Sequence, residues 1–177
     1  FLNQGKIEFD EVVISAGAWS KDLANKIGDN FPLGTERGYH VLFENEKKLI
    51  NRPIGWSQSG FYLVQMNEGI RAAGTVEIAD INKEPNQKRI RMIEKQARKL
   101  LPKLGRVKST WLGRRPTLPD SLPVIGRSIK NKKVLYAFGH QHIGWTLAAV
   151  TGKAINELIK GSNPNFDIRA FNPNRFK

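Results

Sequence analysis

The chain has 177 residues, of which 40% are hydrophobic, 25% charged and 9% aromatic, and it carries no cysteine. That composition supports one large or two small packed domains and excludes disorder, a disulfide framework, a thiolate zinc site and a cysteine nucleophile. The net charge of +13 invites a nucleic-acid reading, yet residues 80–115 hold twelve of the cations without the interleaved aromatics of a stacking platform. Nucleic acid is therefore disfavoured, and a weak attraction to anionic lipid stays open.

No apolar run reaches the roughly 18 residues of a membrane span, and charge interrupts the N-terminus by Lys6, unlike a signal peptide. The first residue is Phe1 and not Met, which reads as a start partway along a longer polypeptide. The expected location is cytoplasmic, with peripheral contact at the inner face of a membrane as a variant.

"KIEFDEVVISAGAWS" (6–20) runs into Val12-Val13-Ile14, the pattern of a buried parallel strand. Small residues end it at 15–18, and Ser20 is placed to cap a short helix through about Ile27. Strand, small-residue turn and helix let a backbone approach a nucleotide, with Gly17 at the contact, although a plain β–α turn needs the same residues. Residues 37–78 hold short β-type runs separated by Gly, Asn and Pro, as in an antiparallel meander.

Asn86 is placed to cap a helix through about Leu101, with Ile90, Ile93, Ala97, Leu100 and Leu101 as its apolar stripe. "VKSTWLGRR" (107–115) reads as a strand. Alternation puts Val107, Ser109, Trp111, Gly113 and Arg115 on one face and Arg114 on the other with Leu112 and Thr110. A proline-stiffened segment, "PTLPDSLPVIG", follows. Then comes "KVLYAFGHQHIGWTLAAVTGKAINELIKG" (133–161): a strand, a Gly/His turn and a helix with Ala148, Ala149, Gly152 and Ala154 on a close-packing face. Phe166, Phe171 and Phe176 are placed to hold down the tail.

The second turn carries the chemistry. A helix start after Gly-rich backbone offers free N–H groups, here from Ile143, Gly144, Trp145 and Thr146, to a phosphate, to the carbonyl side of a reduced flavin, or simply to water. Arg115 can grip a carboxylate with two parallel bonds, or serve in a structural ion pair. His140 and His142, spaced i,i+2 without a third ligand, make a weak metal signal, so no metal site is expected. No Gly-x-Ser-x-Gly elbow supports a serine nucleophile.

Four segments together resemble the C-terminal half of flavin-dependent D-amino acid dehydrogenases, in the D-amino acid oxidase and glycine oxidase superfamily. They are "DEVVISAGAWS", "ERGYHV", "GRRPTLPDSLPVIG" and "FGHQHIGWTLAAVTG", in family order. The resemblance implies an α+β fold. Residues 1–35 and 117–161 would belong to an FAD-binding domain, 36–116 would form an antiparallel substrate-binding sheet with a covering helix, and 162–177 would be a tail.

The resemblance also implies FAD as cofactor and an amino acid as substrate, with electrons leaving to a quinone or a carrier, or to oxygen. Arg115 would hold the substrate carboxylate, with His142 and Tyr39 nearby. Gly17, Gly139, His140, Ile143, Gly144, Trp145 and Thr146 would meet the flavin. No protein base is expected.

The family's Gly-x-Gly-x-x-Gly dinucleotide grip is absent, since no Gly-x-Gly occurs in the sequence. The expectation is a fragment that alone binds FAD poorly and turns nothing over, completed by the missing FAD-binding half or by a second copy. The competing expectations are a sarcosine, glycine or hydroxyproline oxidoreductase and, from another class, a non-catalytic basic module for nucleic acid or anionic lipid.

Overall fold

The structure is a computed structural model that describes residues 7–45 and 47–176. Its elements, in chain order, are β1 (Val12–Ile14), α1 (Ser20–Ile27), β2 (Gly34–Phe43), β3 (Ile54–Trp56), β4 (Phe61–Met66), β5 (Gly69–Ile78), α2 (Gln87–Leu100), β6 (Val107–Thr117), β7 (Val124–Arg127), β8 (Val134–Phe138) and α3 (Gly144–Ile159). They form an α+β arrangement of two compact units, one from residues 1–35 and 115–177, the other from 36–114.

In the first unit β8 pairs in parallel with β1 and antiparallel with β7, giving the order β1-β8-β7. Alternation along β8 sorts its side chains between two small cores. Tyr136 and Phe138 meet Phe31 edge-on, at 5.1 and 5.4 Å between centroids, in a cluster with Ala24 of α1. Leu135 joins Ala154 and Ile155 of α3, and Phe166 and Phe171 of the tail pack there too. Beneath the first core the hydroxyls of Ser128 and Tyr136 both donate to one oxygen of buried Asp29.

Two sequence expectations change in this unit. Ser20 is not a cap: a 3-10 turn at Gly17–Trp19 runs straight into α1, Trp19 takes the cap position, and no side chain caps the helix. Val12 and Val13 are exposed, because β1 lies at the edge of its sheet and only Ile14 is buried. The proline-stiffened segment contains β7, whose Val124, Ile125 and Gly126 are buried.

In the second unit the strands run β3-β4-β5-β2-β6. The chain does not simply meander, since β5 returns to pair with β2. Asn86 accepts a hydrogen bond from the Lys88 N–H and caps α2, and Ile93 and Ala97 sink into a core with Tyr39, Val41, Phe43, Leu63 and Ile70. Pairing slips by one residue at Gly38/Tyr39, opposite Thr75, which takes a left-handed φ of 62°. Such a bulge leaves one residue unpaired, and the buried Thr75 hydroxyl has no partner among the described residues.

The polar centre of this unit is a buried network. Arg37, fully buried, lies 3.6 Å from Glu77 and donates to the carbonyls of Asp80 and Glu84. Tyr39 donates to Glu77 across 2.5 Å and accepts from the Asn86 N–H. On β6 the expected alternation holds at Trp111 and Leu112: Trp111 is exposed and stacks on His40, whereas Leu112 packs against the core. It fails at Val107, which also packs against the core. The Trp111 ring lies across Gly113, where a Cβ would come within 2.3 Å of it.

Candidate functional site

The first unit holds a cavity of about 520 Å³, within the ordinary size of small-molecule sites. Val13, Ser15 and Gly17 line it from the end of β1, Pro116 from the end of β6, and residues 137–142 with α3 supply the rest. The wall is built by backbone shape. Gly139 takes a φ of +90°, and a Cβ there would strike Leu118 at 2.6 Å. Gln141 follows at φ 55°, a conformation costly for a residue with a side chain.

A single bond ties the wall together. The Gln141 N–H donates to the Pro116 carbonyl across 3.0 Å, fixing the turn before α3 to the strand that carries Arg115. The two arginines separate here. The Arg114 guanidinium donates through Nε to the Ile81 carbonyl at 2.6 Å. Arg115 is half-buried and has no hydrogen-bond or ion-pair partner among the described residues.

The start of α3 forms the other side. Ile143 occupies the cap position and no side chain caps the helix, so the first N–H groups lack intrahelical partners and carry the positive end of the dipole. His140 shares a hydrogen bond with Thr151 through Nε2 at 2.9 Å, pinning the turn to the second turn of the helix. Burial pushes the His140 pKa down, so the imidazole stays neutral near pH 7.

Gly17, Gly139, His140, His142, Gly144 and Trp145 thus come together at one cavity. Ile143 and Thr146 sit exposed on the same turn without lining it, and Arg115 adjoins it through Pro116. Tyr39 is placed otherwise: it is 2% exposed and its hydroxyl is taken by Glu77 and the Asn86 N–H, so a substrate cannot reach it without unpacking the core. His40, one residue on, looks outward and stacks on Trp111.

Pro116, Gln141 and Thr151 were not singled out from the sequence. Thr151 had a signal, since it lies seven residues after Gly144 on the same helical face. Gln141 had none, because nothing local marks it for a left-handed φ.

The cavity suits the ring end of a flavin. A Cβ at Gly17 or Gly152 would project into open space, so bare backbone faces the cavity there, and Ala148 is small. The uncapped helix start presents donors to an electron-rich edge. Nothing in the sequence supplies the Gly-x-Gly turn for a pyrophosphate.

Residues 2–158 match the family described as DAO, FAD dependent oxidoreductase. The chain is 41% identical over 178 residues to a D-amino-acid oxidase of Bradyrhizobium diazoefficiens, an alignment covering 97% of this chain and 42% of that protein. A glycine oxidase of Pseudomonas putida is 30% identical over 172 residues, covering 96% and 47%. Among solved structures, glycine oxidase from Geobacillus kaustophilus superposes with a TM-score of 0.83 at 22% identity, covering 96% of this chain and 46% of that one, a likeness of fold. The chain spans less than half the length of these proteins. A family match over most of the chain, joined to a glycine-walled cavity at an uncapped helix start, leads to one conclusion: the chain belongs to the DAO family of FAD-dependent oxidoreductases.

Proposed function

We propose that this chain forms the flavin-ring side and the carboxylate grip of an enzyme that oxidises the C–N bond of D-amino acids. The observation that carries the proposal is the Gln141–Pro116 bond, which ties the strand carrying Arg115, unpaired among the described residues, to the turn that opens the uncapped helix start at the cavity. FAD, when bound, supplies the acceptor for the hydride leaving the substrate α-carbon as the amine becomes an imine.

The protein's part is positioning. Arg115 holds the substrate carboxylate by two parallel bonds. The N–H groups of Gly144, Trp145 and Thr146 stabilise negative charge on the flavin's carbonyl side. Gly17 and Gly152 leave room for the ring, and neutral His140 fixes the turn without adding charge. His142, exposed at the cavity edge, is assigned to the substrate side. The electrons pass to a quinone, a carrier or oxygen.

The 41% identity to a protein named D-amino-acid oxidase supports D-amino acids as the substrate class. The 30% identity to a glycine oxidase supports glycine or sarcosine as the second reading. The test is steady-state kinetics of the FAD-loaded enzyme containing this chain, on D-amino acids, glycine and sarcosine. Arg115→Ala is expected to raise KM for every carboxylate substrate by about 100-fold, the loss of a bidentate charged contact of roughly 3 kcal/mol. Unchanged KM in that variant rejects the assignment.

A further inference from the structure

We infer that the outer face of α2 is a docking surface for anionic phospholipid headgroups. Lys88, Arg91, Lys95 and Lys99 are all exposed and recur at three- and four-residue spacing, so they form one stripe about 16 Å long. None of the four has a carboxylate partner among the described residues; Lys99 alone has a neighbour, the face of Trp56 at 5.9 Å. Several other cations of the unit do have carboxylate partners: Arg98 with Glu94, Arg106 with Glu44, Lys108 with Glu68 and Arg37 with Glu77. Glu94, the one acidic residue of the helix, is turned to Arg98 and not to the stripe.

The shape favours a lipid surface over a nucleic acid. The stripe lies on the convex back of a helix, whose apolar side is already committed to the core through Ile93 and Ala97. It offers no groove for a duplex and no aromatic platform for bases. Met92, 43% exposed between the cations, adds a flexible apolar side chain where it can reach past the phosphates. Contact is therefore electrostatic and peripheral, without insertion of the helix. Among the described residues no helix is long and apolar enough to cross a membrane. The inference depends on α2 alone and stands whatever the cavity binds.

Sedimentation of the 177-residue chain with phosphatidylglycerol–phosphatidylcholine vesicles tests it. The chain is expected to bind these vesicles, to ignore pure phosphatidylcholine, and to be released by salt. Each cation near an anionic surface is worth about fivefold in affinity, so Lys88→Gln/Arg91→Gln/Lys95→Gln/Lys99→Gln is expected to lose roughly 100-fold or more.

The charge-matched control Lys130→Gln/Lys132→Gln/Lys133→Gln/Lys160→Gln, drawn from exposed sites of the other unit, is expected to keep binding. Circular dichroism verifies that both variants are folded, and Lys95→Glu alone serves if the quadruple is not. Equal losses in both quadruple variants would reduce the effect to net charge and overturn the inference. So would failure of the parent chain to bind, or tighter binding to duplex DNA through the same four residues.

Discussion

The backbone N–H of Gln141 donates to the carbonyl of Pro116 across 3.0 Å, although the two residues lie far apart in sequence. Gln141→Pro removes the donor and cannot take the native φ of 55°. We expect a loss of about 3 kcal/mol or more in the stability of the first unit, measured by urea denaturation. A neutral result would mean the turn before α3 does not depend on this tie.

Arg114 and Arg115 should separate by what they damage. Arg114→Ala leaves the half-buried Ile81 carbonyl without its charged donor, with an expected cost of about 1–2 kcal/mol in stability and little change in KM. Arg115→Ala should do the reverse. Identical profiles for the two would show that the division of the pair is mistaken.

Thr75 sits at φ 62° with a buried hydroxyl that has no partner among the described residues. Thr75→Gly relieves both penalties, against the larger entropy a glycine loses on folding. We expect a net gain of about 1 kcal/mol, read as a raised urea midpoint with unchanged slope.

The Glu77 carboxyl is held below the usual glutamate range, first by the Tyr39 hydroxyl and then by Arg37, with burial opposing them. A carboxyl depressed in the folded state stabilises above its unfolded pKa, and that stability drains away as pH falls through the folded one. The acid limb of a pH–stability curve should therefore flatten in Tyr39→Phe. Arg37→Met, which strands a buried carboxylate, should cost about 3–5 kcal/mol near neutral pH.

His40 and His140 both have their pKa lowered, chiefly by burial. Below the ordinary histidine value of about 6.5 the unfolded chain takes up protons that the folded chain refuses, so stability falls as pH drops from there toward the folded values. His140→Gln keeps a polar partner for Thr151 and should remove its share of that slope. An unaltered slope would show that the imidazole does not titrate against folding.

What could be read from the sequence was what local chemistry decides. Asn86 and the stripe from Ile90 to Leu101 defined α2, because capping and a 3.6-residue period are properties of a short window. Of the four segments that carry the family resemblance, three contribute residues to one cavity, while "ERGYHV" lies in the other unit. What could not be read was decided by neighbours. Ser20 lost its capping place to a 3-10 turn that only the folded loop imposes. The four residues of β7 gave too short a run to stand out after the prolines. Tyr39 and His40 face opposite ways, and the one-residue bulge beside them left that choice to the partner strand.

β2 and β6 lie side by side in the sheet, and the chain enters residues 36–114 on one and leaves on the other. The segment therefore begins and ends at neighbouring points, as an inserted cassette does, and bridging those points with a tight turn would cost little loop-closure entropy. The block can then be exchanged or removed as a whole, with both seams on neighbouring strands of one sheet.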